Sequence, residues 1–137
     1  MSATLASVRD AIAVALRTVS GLNADGYLVQ KIRSPHAMVD LEIDYDQTLG
    51  RGSDEYLFTI TVYAQRDNDG QSQKYLDQLR DGRQATSLKR VLEGDAGVLA
   101  TVDYIRVRKV SGVHVALSGA PNVEYLAVVF EVEAMIQ

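Results

Sequence analysis

Leu5, Val8, Ile12, Leu16 and Val19 recur at spacings of three and four. That period places them on one face, so Ser2 to Val19 is predicted to be an amphipathic helix. Ser2 or Thr4 is placed to cap its start, and Ser20-Gly21 follows the last periodic residue, where Gly closes helices. Arg9, Asp10 and Arg17 fall off the apolar stripe. Tyr27 to Ile32 then reads as a short strand, broken by Ser34-Pro35.

Two-residue alternation takes over after that break. Between Ala37 and Ile43, Met38, Asp40 and Glu42 take one side, and Val39, Leu41 and Ile43 the other. Glu55 to Gln65 reads as a long strand, with Tyr56, Phe58, Ile60, Val62 and Ala64 as its core face. The polar connection Asp44 to Asp54 joins the two into a hairpin, and its length exceeds the usual two to five residues. Asp67-Asn68-Asp69-Gly70 is turn chemistry, with Asp69 placed to cap a helix over Gln71 to Arg80 whose apolar positions are Tyr75, Leu76 and Leu79. A second short helix spans Ser87 to Leu92 and is ended by Gly94 and Gly97. Val102 to Val110 is a strand, Gly112 to Leu117 another, and Val123 to Ile136 the last and longest. Leu126, Val128, Phe130, Val132 and Ala134 form the core face of that last strand.

Helices and strands do not alternate regularly, which argues against a doubly wound parallel sheet. The pattern predicts an α+β fold: a mixed, mostly antiparallel sheet, with the N-terminal helix and one or two further helices on one face. The 137 residues suit a single domain spanning the whole chain.

Composition narrows the function classes. The chain has no Cys, which removes disulfides, thiolate metal sites and a cysteine nucleophile. The N-terminus lacks a signal-peptide pattern, and no apolar run has the length of a membrane span, so a soluble, intracellular-type protein is expected. The formal net charge is −4, with no basic cluster of the kind that retains nucleic acid. Residues 44–81 carry eight acidic and four basic groups, whereas the segments on either side are balanced. Such a run is ordinarily a solvated face with caps and turns. Its functional reading is a surface kept negative so that something anionic passes without sticking.

Catalytic motifs are missing: there is no P-loop, GxGxxG or HExxH. His36 and His114 lack a third strong ligand for a shared metal site. The Asp44 to Glu55 loop partly matches a calcium loop, with Asp44, Asp46 and Thr48 as oxygen donors and Glu55 at the twelfth place. Leu49 occupies the position that wants Gly, and the flanks read as strands rather than helices. Nothing in the sequence selects a carboxylate pair for acid–base work. Arg106 and Arg108 are expected to meet Glu131 and Glu133 across neighbouring strands.

Three stretches carry a family resemblance. They are Ile43 to Glu55 (IDYDQTLGRGSDE), the strand Tyr56 to Ala64, and Tyr125 to Val132 (YLAVVFEV). With the Ser87 to Leu92 helix before the Val102 to Val107 strand, they resemble the tail terminator (tail completion) proteins of long-tailed phages, siphoviruses, especially those of actinobacterial hosts. The resemblance covers nearly the whole chain in element order, and its specific part is the loop. It implies a structural virion protein without catalysis, cofactor or metal, found in the virion neck and, during assembly, in the host cytoplasm. Six copies would form a ring that caps the tail tube and docks to the head–tail connector, while DNA crosses the lumen without specific binding. The loop residues Asp44, Tyr45, Asp46, Gln47, Thr48, Leu49, Gly50, Arg51, Gly52, Ser53, Asp54 and Glu55 are then expected to touch a neighbouring subunit, the tube or the lumen. A stopper or adaptor of the same connector, a small calcium- or ligand-binding domain, and an unrecognised hydrolase remain the alternatives.

Overall fold

The structure, a computed structural model, describes residues 4–19, 21–27, 34–44, 54–65, 70–85, 87–118 and 123–136. Its elements run α1 (Leu5–Arg17), β1 (Asn23–Asp25), β2 (His36–Asp44), β3 (Asp54–Gln65), α2 (Gln71–Arg80), α3 (Leu88–Gly94), α4 (Ala96–Leu99), β4 (Tyr104–Val110), β5 (His114–Ser118) and β6 (Val123–Ile136). This is the α+β architecture that the periodicities predict.

The six strands form one sheet in the order β1-β2-β3-β6-β4, with β5 pairing the other half of β6. The pairs β2–β3, β3–β6, β4–β6 and β5–β6 are antiparallel. Among the described strands, only β1 and β2 run parallel. The expected hairpin is present, with Asp44 opposite Glu55 at its tip and His36 opposite Tyr63 at its base.

Alternation decides the two faces of the sheet. Phe58, Ile60, Val62 and Ala64 of β3 are buried with Val128, Phe130, Val132 and Ala134 of β6. Helix α1 covers this face through Val8, Ile12 and Leu16, α2 through Leu76 and Leu79, and α3 through Leu88 and Leu92. Burying one such side chain contributes about 1.5–3 kcal/mol. Tyr56 and Leu126, expected on the core faces, pack partly buried at the margin of the cluster.

Local caps explain the helix boundaries. Thr4 Oγ1 accepts the Ser7 N–H at 3.1 Å, which makes Thr4, not Ser2, the cap of α1. Gly21 follows with φ of +78°, the left-handed geometry that glycine adopts freely. Ser87 Oγ caps α3 by accepting the Arg90 N–H. For α2 the expected Asp69 cap is not the observed one. Gly70 holds that position with φ of +78° and no side-chain hydrogen bond, and Asp69 itself lies outside the described residues.

Three further features differ from the sequence reading. Tyr27 sits in a bend, and the observed strand lies earlier, at Asn23–Asp25, with Leu28 to Ile32 outside the described residues. Pairing with β2, rather than any apolar pattern, makes Asn23–Asp25 a strand. Two side chains of α1 hold the segment in place: Arg17 Nε donates to Ala24 O, and Arg9 donates to Gly26 O and Val39 O. After α3, Gly97 does not terminate a helix but lies inside the one-turn α4, capped by Asp95. In β4 the register shifts between Val107 and Lys109, so Arg108 is the extra residue of a bulge.

Candidate functional site

The predicted loop is anchored by strands at both ends. Asp44 closes β2, Asp54 and Glu55 open β3, and the ladder pairs Asp44 with Glu55. The residues between them, Tyr45, Asp46, Gln47, Thr48, Leu49, Gly50, Arg51, Gly52 and Ser53, lie outside the described residues. Of the calcium-loop donors, Asp46 and Thr48 lie outside the described residues, and the flanking elements are strands, not helices.

The helices cover one face of the sheet, and the hairpin carries its charge onto the other. Registers align this second face in rows. One row reads Glu42, Leu57, Glu133, Arg106 across β2, β3, β6 and β4. The next reads Asp40, Thr59, Glu131, Lys109. The face is thus acidic along β2 and basic along β4. Glu42, Leu57, Thr59, Arg108 and Glu131 line a depression of about 290 Å³ between the two borders.

The expected cross-strand ion pairs form, but the bulge redistributes them. Arg106 and Arg108 both approach Glu133, each at 3.8 Å, and Lys109 takes Glu131 at 3.6 Å. The extra residue at Arg108 brings two guanidiniums to one carboxylate and passes the second carboxylate to Lys109. On β2, by contrast, Asp40 and Glu42 are exposed and have no cation within pairing distance among the described residues. Asp40 Oδ1 instead accepts the Leu41 N–H at 2.8 Å.

Tyr104 stands at the β4 end of this face, 41% exposed. Desolvation raises its pKa above the ordinary tyrosine value, and the carboxylates of Glu133 and Glu55 raise it further. Tyr63 and Tyr125 meet edge to face on the same side of the sheet, with centroids 6.1 Å apart.

The histidines do not converge. His36 and His114 occupy one row, separated by Tyr63 of β3 and Ala127 of β6. Three strand spacings hold them about 14 Å apart, too far for one metal ion. His36 is fully buried, and its Nε2 lies 2.6 Å from Asp25 Oδ2. No group of three or more metal-ligating side chains occurs among the described residues.

Sequence reasoning missed that His36 is buried, because the Ser34-Pro35 just before it looks like turn chemistry. It also missed the role of Lys89 and Glu93. Glu93 Oε2 accepts the Val107 N–H at 2.8 Å and Lys89 Nζ at 2.6 Å, so α3 seals the open edge of β4. The Lys–Glu spacing of four is visible in the sequence, but its target strand is not.

No protein-family model matches the chain, and no curated protein matches it.

Proposed function

We propose that the chain is a tail terminator: a structural protein whose ring caps the tail tube of a long-tailed phage and joins it to the head–tail connector. The reading starts from the resemblance carried by Ile43 to Glu55, Tyr56 to Ala64 and Tyr125 to Val132. The observation that carries it furthest is the long β2–β3 antiparallel pair, whose exposed Asp40 and Glu42 lie on the sheet face opposite the one the described helices pack on. A ring of identical subunits needs two different surfaces on each copy. The acidic β2 border and the basic β4 border are two such surfaces. A lumen lined by the acidic segment repels DNA phosphates and lets the genome slide, whereas Lys and Arg would hold it.

No described helix is long and apolar enough to cross a membrane. Under this reading the partners are other copies of the chain, the tail tube protein and the connector or stopper, and the protein resides in the virion neck.

Disrupting the gene in its phage tests the reading. A terminator is required to stop tube growth, so its loss yields tails of uncontrolled length that do not join heads. Tails of normal length that merely fail to join would instead assign the chain to the stopper or adaptor of the connector. Fully infectious particles would remove the phage reading altogether.

A further inference from the structure

A basic cleft lies where β4 meets the helical layer. Arg80, Lys89, Arg106, Arg108 and Lys109 line a depression of about 290 Å³, together with Gly82. These five cations share four carboxylates of their own chain: Asp77, Glu93, Glu131 and Glu133. The contacts of Arg106, Arg108 and Lys109 are long, 3.6–3.8 Å, and their side chains are at least half exposed. Arg80 Nε is buried without a hydrogen-bond partner among the described residues. The cleft therefore holds more donor capacity than the described residues of its own chain use.

The opposite border of the same sheet has the complementary deficit. Asp40 and Glu42 of β2 are exposed and unpaired with any cation among the described residues. Described pairing to β1 ends at Met38, so the outer edge of β2 beyond it meets no described strand. Two side chains satisfy its backbone instead: Arg9 donates to Val39 O, and Asp40 accepts the Leu41 N–H.

We infer that the basic cleft beside β4 binds the acidic β2 border of a second copy of this chain. Arg106 and Lys109 of one subunit then meet Glu42 and Asp40 of the next. The two borders lie about 14 Å apart on one subunit, across three strand spacings, and none of the ion pairs among the described residues joins them. Because the two surfaces differ, the contact is head-to-tail and propagates beyond a pair into a ring or filament. Strand pairing through β4 is not required and is not expected, since Lys89 and Glu93 of α3 already occupy the Val107 backbone groups. A polyanion such as DNA is the competing occupant of the cleft, but the acidic border supplies its charge on the chain itself. The inference rests on the ring reading for its partner and deepens it by naming the two contacting surfaces.

Charge exchange tests it. Sedimentation of the purified chain at millimolar concentration and low salt is expected to show species larger than a dimer. Reversing one border, with Asp40→Lys and Glu42→Lys, should weaken association by about tenfold or more. Arg106→Glu with Lys109→Glu should do the same, and mixing the two variants should restore assembly. All four positions are exposed, and circular dichroism verifies that each variant folds. A monomeric parent chain, a closed dimer, or variants that associate like the parent would overturn the inference. So would a cleft that retains a DNA duplex while reversal leaves self-association intact. These readouts are separate from tail length. Normal tail termination with unaffected association would sink the named contact alone, whereas association through these borders in a chain dispensable for tails would sink the terminator reading alone.

Discussion

The Glu93 carboxylate accepts the backbone N–H of Val107 at 2.8 Å, so a helix side chain closes the edge of a strand. Lys89 completes the device by pairing with Glu93 and reaching Val107 O at 3.5 Å. An open strand edge is a template for unwanted pairing, and this one is blocked on both its donor and its acceptor. Glu93→Ala leaves the part-buried Val107 N–H without its partner. Urea denaturation should show a loss of about 1–3 kcal/mol, accompanied by faster aggregation on warming.

Among the described glycines, Gly26 is the most closely surrounded. A Cβ there would lie 2.7 Å from the Arg9 backbone oxygen, and neither partner is a flexible side-chain end. Gly26→Ala should therefore cost about 1–3 kcal/mol by forcing α1 away from the sheet. Gly94→Ala is the control, because nothing lies within 4 Å of its added Cβ. That variant should match or slightly exceed the parent in thermal unfolding.

Asp25 and His36 pin the parallel strand β1 to the sheet. Asp25→Ala removes the acceptor 2.6 Å from a fully buried imidazole. The expected loss is about 1–3 kcal/mol in chemical denaturation, with hydrogen exchange at Asn23 to Asp25 rising before exchange elsewhere. Unchanged protection there would show that the Asp25–His36 contact does not hold the strand.

Two tyrosines set an alkaline limit. Burial raises the pKa of Tyr75, and desolvation with the Glu133 and Glu55 carboxylates raises that of Tyr104. A folded pKa above the unfolded value favours the folded state below the ordinary tyrosine pKa of 10.0. That contribution is lost as pH rises from there through the raised folded values. Stability should therefore fall on the alkaline side of pH 10.0, and Tyr75→Phe should make that loss smaller. The chain has seven Tyr and no Trp, so ultraviolet titration reads phenolate formation without interference. Glu133→Gln should lower the Tyr104 titration toward the ordinary value.

The legibility of this chain in its sequence follows from element length. Strands β3 and β6 alternate over 12 and 14 residues, enough for alternation alone to assign both faces. Helix α1 is equally plain, since its apolar spacing persists through 13 residues. Strand β1 is three residues long, and two of them, Asn23 and Asp25, are polar. Only pairing with β2 and the reach of Arg9 and Arg17 make it a strand. The bulge at Arg108 has no local signal, so the sharing of Glu133 by two arginines could not be foreseen. Of the candidate loop, the sequence located the strand ends to within one residue: Asp44 and Asp54, read as loop, belong to β2 and β3, because ladder pairing extends past the apolar alternation. The charge polarity of the open face needed the strand order, because Asp40, Glu131 and Lys109 share a row only in three dimensions.

Neutralising the loop tests its place in a DNA channel. Under the proposed function, Asp44→Asn, Asp46→Asn and Asp54→Asn together should impair DNA ejection more than ring assembly. Ejection is followed by dye release from receptor-triggered virions, and assembly by the fraction of joined particles. Normal ejection from such virions would remove the acidic-lumen idea.

The central claim is tested most directly by cryo-electron microscopy of the virion neck, with the chain traced into the density by its side chains. The account predicts a six-fold ring of this fold between the last tube ring and the connector, with the β2 border of each subunit against the β4 border of the next. Density for the chain on the head side of the connector, or none in the virion, would contradict it.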